Sequence, residues 1–145
     1  MQTQKPDNLK TLDNYWIYGP TGTGKSMSTR ERFPSFYKKN GSSEWFTGYH
    51  GEDTVLWEEF SPYQIKYTEL LKELADHYPL QVKVHGFLAY LRPRRVVITS
   101  NYHPAQIWND PESLEPILRR FKVHKLTHDK YDMHPEAPQP RPILA

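Results

Sequence analysis

The sequence predicts an α/β fold, a sheet with helices on both sides. Three observations predict it. Short apolar runs that read as strands alternate with segments of helical period. A glycine-rich loop joins the first such run to the first helical segment. The chain, at 145 residues with 37% hydrophobic and 14% aromatic content, is long enough for one domain with a real core and too short for two ordinary ones. Nineteen basic residues against seventeen acidic ones give a net charge of +2, compatible with a polyanionic partner but insufficient to predict one. The absence of cysteine excludes disulfides, thiolate catalysis and Cys-based zinc sites, and leaves the redox compartment open. No apolar run approaches the roughly 20 residues that span a bilayer, so no membrane is expected, and no signal peptide is visible.

Taken in order, residues 1–14 read as a polar lead-in or linker with Pro6, Asp7, Asn8 and Asn14. Tyr15 to Tyr18 is a strand, and Lys25 to Phe33 a short helix stopped by Pro34. After a polar loop at 38–43, the stretch from Glu44 to Phe60 suggests two strand segments separated by Gly48 and Gly51, the second centred on Val55-Leu56-Trp57. Ile65, Leu70, Leu71 and Leu74 fit one face of a helix from about Tyr63 to His77, with Pro79 beyond it. Gln81 to Leu91 alternates around His85-Gly86 as a β-hairpin. Val96 to Thr99 is a buried strand, Ser113 to Arg120 a helix and Phe121 to Leu126 a last strand. The folded unit is expected over 15–128. A tail at 129–145, with Pro135, Pro138, Pro140 and Pro142, is expected to be disordered.

The chemistry starts at Gly19-Pro20-Thr21-Gly22-Thr23-Gly24-Lys25-Ser26, a complete phosphate-binding loop between a strand and a helix. Such a loop turns successive N–H groups toward phosphate oxygens and adds the field of a helix N-terminus. Lys25 is expected to reach the β- and γ-phosphates of ATP, and Ser26 to ligate Mg²⁺. Acids are needed at the end of a neighbouring strand, and Thr54 to Phe60 supplies a pair: Glu58 for the metal, Glu59 to polarise the attacking water. Asn101, closing Val96 to Ser100, can set an amide beside the γ-phosphate and that water.

The set of segments GPTGTGKS, GYHGEDTVLWEEF, YPLQVKVHG and VVITSN resembles the superfamily 3 helicase domain of the replication-associated (Rep) proteins of small circular single-stranded DNA viruses, those of circoviruses above all. The resemblance covers roughly residues 15–125. It implies an AAA-like P-loop NTPase core of the ASCE type, a mostly parallel sheet flanked by helices, with a β-hairpin inserted before the strand that carries the sensor asparagine. It further implies a hexameric ring that hydrolyses ATP to translocate on single-stranded DNA during rolling-circle replication in the host nucleus. Residues 19–26 match the family's Walker A loop, Glu58 and Glu59 its Walker B acids, and Asn101 its motif C asparagine. Lys83, His85 and Gly86 fall on the hairpin that faces the pore, where the family usually has lysine just before the glycine. Here that place holds His85, so backbone grip is expected to rest on Lys83. Arg119-Arg120 resemble the place of an arginine finger acting on the next subunit, with Arg120 the first choice. Trp45, Phe46, Tyr49, Trp57 and Tyr102 could stack on bases, though most are expected in the core. Arg92, Arg94 and Arg95 are candidates for phosphate contact.

The nicking endonuclease that begins full-length Reps uses a His-x-His pair, which does not occur here. The chain is therefore expected to be the C-terminal portion of a longer protein, with Met1 an added start. Tyr63-Gln64-Ile65-Lys66 matches that nuclease's tyrosine motif by chance, and His124 with His128 lacks a third metal ligand. Two rival functions remain: a small-molecule P-loop kinase, for which neither an arginine-rich lid nor an acceptor pocket is evident, and an ATP-dependent oligomerisation module without unwinding.

Overall fold

Asn14–Tyr18 forms β1, whose Trp16, Ile17 and Tyr18 are buried, as a nearly continuous apolar strand inside a parallel sheet should be. In the computed structural model, which describes residues 5–20, 22, 24–84 and 86–126, a glycine-rich loop carries the chain from β1 into α1 (Lys25–Arg32). There follow a two-residue β2 (Tyr37–Lys38), β3 (Thr54–Phe60), a 3₁₀ segment (Pro62–Tyr67) continuing into α2 (Thr68–Leu74), and hairpin strands β4 (Leu80–Val84) and β5 (Phe87–Leu91). The chain closes with β6 (Arg95–Ser100), α3 (Pro104–Ile107), α4 (Pro111–Arg120) and β7 (Phe121–Lys125).

The main sheet has five strands in the order β2-β3-β6-β1-β7, and every neighbouring pair is parallel. The hairpin stands outside it as an antiparallel pair, with Gly86 in the turn. This is the expected α/β architecture, a parallel sheet with flanking helices and a hairpin between β3 and β6.

Side chains alternate across the sheet, so each strand feeds two cores of unequal size. Trp16, Trp57 and Ile98 join Leu71, Ile107, Trp108 and Ile117 in the larger one, under α2, α3 and α4. Val82, Ala89 and Leu91 bring the hairpin into the same cluster. On the opposite face Ile17, Leu56, Val97 and Leu126 form a smaller cluster against which Tyr15, Phe33 and Phe36 pack. At the amino edge of the sheet the buried Asn14 amide donates to the carbonyls of Ala75 and Arg120 and accepts the N–H of Val96 at 2.8 Å. One side chain thus joins the ends of α2 and α4 to β6.

Four expectations need correction. The first strand segment near Glu44 is absent: residues 44–50 form turns whose Phe46 and Tyr49 pack inward, so aromatic density imitated a strand. The extra strand lies instead at Tyr37–Lys38, where a polar loop was expected. The helix at 63–77 is split into a 3₁₀ turn, capped by Ser61 and led by Pro62, and a shorter α2, leaving Ile65 exposed. The chain between β6 and α4 carries the unexpected α3, started by His103 and Pro104. The proline-rich tail and His128 lie outside the described residues.

Candidate active site

β3, β6 and β1 are neighbours and run the same way, so their carboxyl ends meet at one edge. That edge collects the loop after β1, the acid pair closing β3 and Asn101 after β6. The Gly19 N–H donates to the Ser100 carbonyl at 3.2 Å, tying the start of the loop to the strand that delivers Asn101. Gly22 and Gly24 adopt φ of 90° and 81°, a left-handed conformation that side chains resist, and Gly24 caps α1. Thr21 and Thr23 lie outside the described residues. The Lys25 ammonium donates to the Pro20 carbonyl at 3.0 Å, folded back across its own loop. Burial pulls the Lys25 pKa below its usual value, and the Glu59 carboxylate opposes that shift.

The acid pair owes its geometry to a β-bulge. Trp57 is in register with Ile98 and Phe60 with Ser100, so Glu58 and Glu59 together face the single residue Thr99. Glu59 absorbs the extra length with φ of 59°, the only positive value among described non-glycine residues. Its N–H donates to the Thr99 hydroxyl at 3.0 Å. The two acids differ in their surroundings. Glu58 accepts a very short hydrogen bond from the Ser26 hydroxyl and a pair from Arg30, the closer at 2.7 Å, while the Lys38 ammonium stands 3.6 Å away. Burial alone would raise the Glu58 carboxyl, but hydrogen bonds from Arg30 and Ser26 and the charges of Arg30 and Lys38 hold it below its usual range. Glu59 stays exposed. Both acids open on a cavity of about 580 Å³, lined also by Ser26, Lys38, Asn40 and Gln64.

The residues present fit a nucleotide and a hard divalent cation. Ser26 and Glu58 offer adjoining oxygen donors, the choice of Mg²⁺-type sites that otherwise use phosphate and water. A Cβ at Gly22 would meet nothing within 4 Å, so the loop has open space on its outer side.

The other expected residues lie elsewhere. Arg120 sits at the amino edge of the sheet, where α4 enters β7, far from its own phosphate loop. Its guanidinium donates to the carbonyls of Lys72 and Pro116, each at 3.0 Å, and to Asp76 at 2.9 Å. Within the chain all the nitrogens of Arg120 are engaged, and Arg119 is the exposed member of the pair. Lys83 lies on β4 and Gly86 in the hairpin turn, with His85 outside the described residues. Of the aromatic candidates, Phe46, Tyr49 and Trp57 are core, and Trp45 is exposed. Arg95 pairs with Asp13 at 2.7 Å, which makes it a fold contact.

A family model described as RNA helicase matches residues 15–102, the span from β1 through the asparagine. The chain belongs to the RNA helicase family. It is also similar to the Replication-associated protein of Beak and feather disease virus, 39% identical over 106 residues, covering 72% of this chain and 35% of the relative. The corresponding protein of Canary circovirus is 38% identical over 121 residues, 81% of this chain and 40% of the relative. That of Pigeon circovirus is 32% identical over 145 residues, 97% of this chain and 44% of the relative. The chain thus spans well under half the length of the curated relatives it matches.

Sequence reasoning missed several groups in this RNA helicase site. Arg30 was legible in principle, since it lies four residues after Ser26 on α1 and so shares its face. Lys38, Asn40 and Gln64 carry no motif; Lys38 and Asn40 reach the cavity because β2 pairs with β3, and Gln64 because the 3₁₀ segment follows β3 directly. Thr99 shows its importance only through the bulge opposite it.

Proposed function

We propose that this chain is the ATPase and DNA helicase domain of a viral replication initiator, hydrolysing ATP with Mg²⁺ to move on single-stranded DNA. The observation that carries the reading is the meeting of the phosphate loop, the acid pair and Asn101 at the ends of three adjacent parallel strands. Gly19 to Lys25 would hold the triphosphate, with Lys25 swinging from the Pro20 carbonyl to the β- and γ-phosphates. Ser26 and Glu58 would hold the cation, which when bound supplies charge neutralisation of the developing phosphate charge. Glu59, turned into the cavity by its bulge, would take the proton of the attacking water, and Asn101 would fix that water.

The relatives' names support a replication role, and their greater length supports further domains, among them the nicking endonuclease, on the full protein. A ring, hexameric by resemblance, would bring an arginine of one subunit to the next site; the exposed Arg119 is better placed than Arg120. The hairpin, with Lys83, His85 and Gly86, would face the strand in the pore, and the host nucleus is the expected compartment.

ATP turnover against protein concentration, with and without oligodeoxythymidylate, tests the proposal. Turnover should rise with both and vanish in Glu59→Gln. A rate indifferent to the oligonucleotide would favour the kinase, and one indifferent to Glu59→Gln the inert assembly module. The family's description favours RNA as a second reading; stronger stimulation by oligouridylate than by oligodeoxythymidylate would establish it.

A further inference from the structure

Beside the nucleotide cavity lies a second one of about 650 Å³, within the roughly 300–1,000 Å³ range of small-ligand clefts. The indole of Trp45 stands on its wall with 43% of the residue exposed, whereas Trp16, Trp57 and Trp108 are buried to 2% or less. Leaving a large aromatic side chain partly in water forgoes favourable burial, so the one exposed tryptophan, set against a cavity, suggests a ligand face. Across from it are the exposed Lys66, the half-buried Tyr67 and Gln81 on hairpin strand β4. Ser42 and Ser43 add hydroxyl groups, and the Ser43 hydroxyl accepts the Trp45 N–H at 3.0 Å, fixing the backbone that presents the indole. A flat π-face, hydrogen-bonding side chains on the rim and the exposed Lys66 ammonium, 5.3 Å from the Tyr67 ring, make a cleft for an unpaired nucleobase with its phosphate toward Lys66. Glu44 on the same wall disfavours a continuous run of phosphates there.

The two cavities share their partition. Ser42 lines both; Gln64 lines the nucleotide cavity, while Lys66 and Tyr67 of the same 3₁₀ segment line the second. The partition is stiff, since the buried Lys39 donates from below to the carbonyls of Asn40 and Ser43 and lies 5.0 Å from the Phe46 ring.

We propose that the Trp45 cleft binds a base of single-stranded DNA by stacking, as a contact additional to the hairpin, and that the wall it shares with the nucleotide cavity couples the two occupants. The inference rests on the helicase reading above. Fluorescence anisotropy with labelled oligodeoxythymidylate tests it in the full chain, together with photocrosslinking to an oligonucleotide carrying 5-iododeoxyuridine. Trp45→Ala should weaken binding about tenfold or more, Trp45→Phe should keep most of it, and Lys66→Ala should lower the salt slope by about one. Binding of a fluorescent ATP analogue should survive in all three variants, which separates a lost contact from a lost fold. The analogue should also change oligonucleotide affinity in the wild type and do so less in Trp45→Ala, because coupling is reciprocal. A Trp45→Ala chain that binds like wild type, or crosslinks confined to the hairpin, overturns the cleft and leaves the helicase reading standing. If the wild-type chain binds no oligonucleotide, both fail. Loss of self-association in Trp45→Ala, without a crosslink at Trp45, would assign the cleft to a second copy of the chain instead.

Discussion

The Thr99 hydroxyl accepts the Glu59 N–H at 3.0 Å and holds closed the bulge that carries the two acids of β3. Glu59 is held at φ of 59°, a conformation that costs a non-glycine residue on the order of 1–2 kcal/mol. We predict that Glu59→Gly raises the urea midpoint, by about 1 kcal/mol of stability, while removing ATP turnover. Thr99→Val should act the other way, leaving an N–H without an acceptor at a cost of about 1–3 kcal/mol and lowering kcat more than nucleotide affinity. A destabilised Glu59→Gly chain would mean that the backbone there is not strained.

Arg30 and Lys38 neutralise Glu58 before any cation arrives. A divalent ion must therefore displace charge that is already satisfied. Exposed pairs of this kind are weak, so Arg30→Met should lower the Mg²⁺ concentration for half-maximal nucleotide binding only a few-fold, by about fivefold at most. The titration of a fluorescent ATP analogue against Mg²⁺ reads this directly. An unchanged or higher midpoint would show that Arg30 aims the carboxylate and does not compete for it.

Lys39 is buried between the Phe46 and Trp57 rings, and burial pulls its ammonium down to about 8, against a weaker opposing pull from Glu44. A base whose folded pKa lies below its unfolded one binds fewer protons in the folded state. Its penalty is complete below pH 8 and fades as pH climbs toward the unfolded value near 10.5. Compared with Lys39→Met, the wild type should therefore gain about 2 kcal/mol between pH 7 and pH 9.5 in urea unfolding. Parallel pH profiles for the two chains would show that the charge is solvated after all.

The two arginines that end α4 should part company. Arg120→Ala removes the ion pair with Asp76 and the bonds to two carbonyls, and we expect a loss of about 2–3 kcal/mol in thermal or urea unfolding. Arg119→Ala, exposed, should stay within about 0.5 kcal/mol of wild type yet lower turnover wherever chains associate. Mixing Arg119→Ala with Glu59→Gln chains checks it: recovered turnover supports action between subunits, and none assigns Arg119 to its own surface.

Much of the fold could be read from the letters because period and local chemistry agreed there. β1, β3 and β6 hold apolar runs with clear ends, β7 alternates, Gly86 marks the hairpin, and the phosphate loop is recognisable from its glycines and its Lys-Ser end. The failures share a cause, which is burial that reverses a residue's usual habit. Tyr37-Lys38-Lys39 looks like surface, yet Tyr37 and Lys39 are buried and Lys38 reaches the acid pair. Trp45 and Phe46 look like one strand, but the chain turns between the core and a cleft. Within the site the loop, the acids and Asn101 were legible as motifs. The bulge and the Arg30 and Lys38 pairs were not, because they depend on register between distant strands. The Arg120 pair with Asp76 was hidden for a similar reason: nothing in Arg119-Arg120 says which guanidinium that carboxylate will claim.

β1 occupies an interior place, laddered to β6 on one side and β7 on the other, with Asn14 fastened to three elements at its entrance. Tension applied along the chain at that point would load both ladders in shear, so many hydrogen bonds would have to break together instead of peeling one by one. The strand that ends in the phosphate loop is thereby mechanically anchored, with load on that loop passed into the whole sheet.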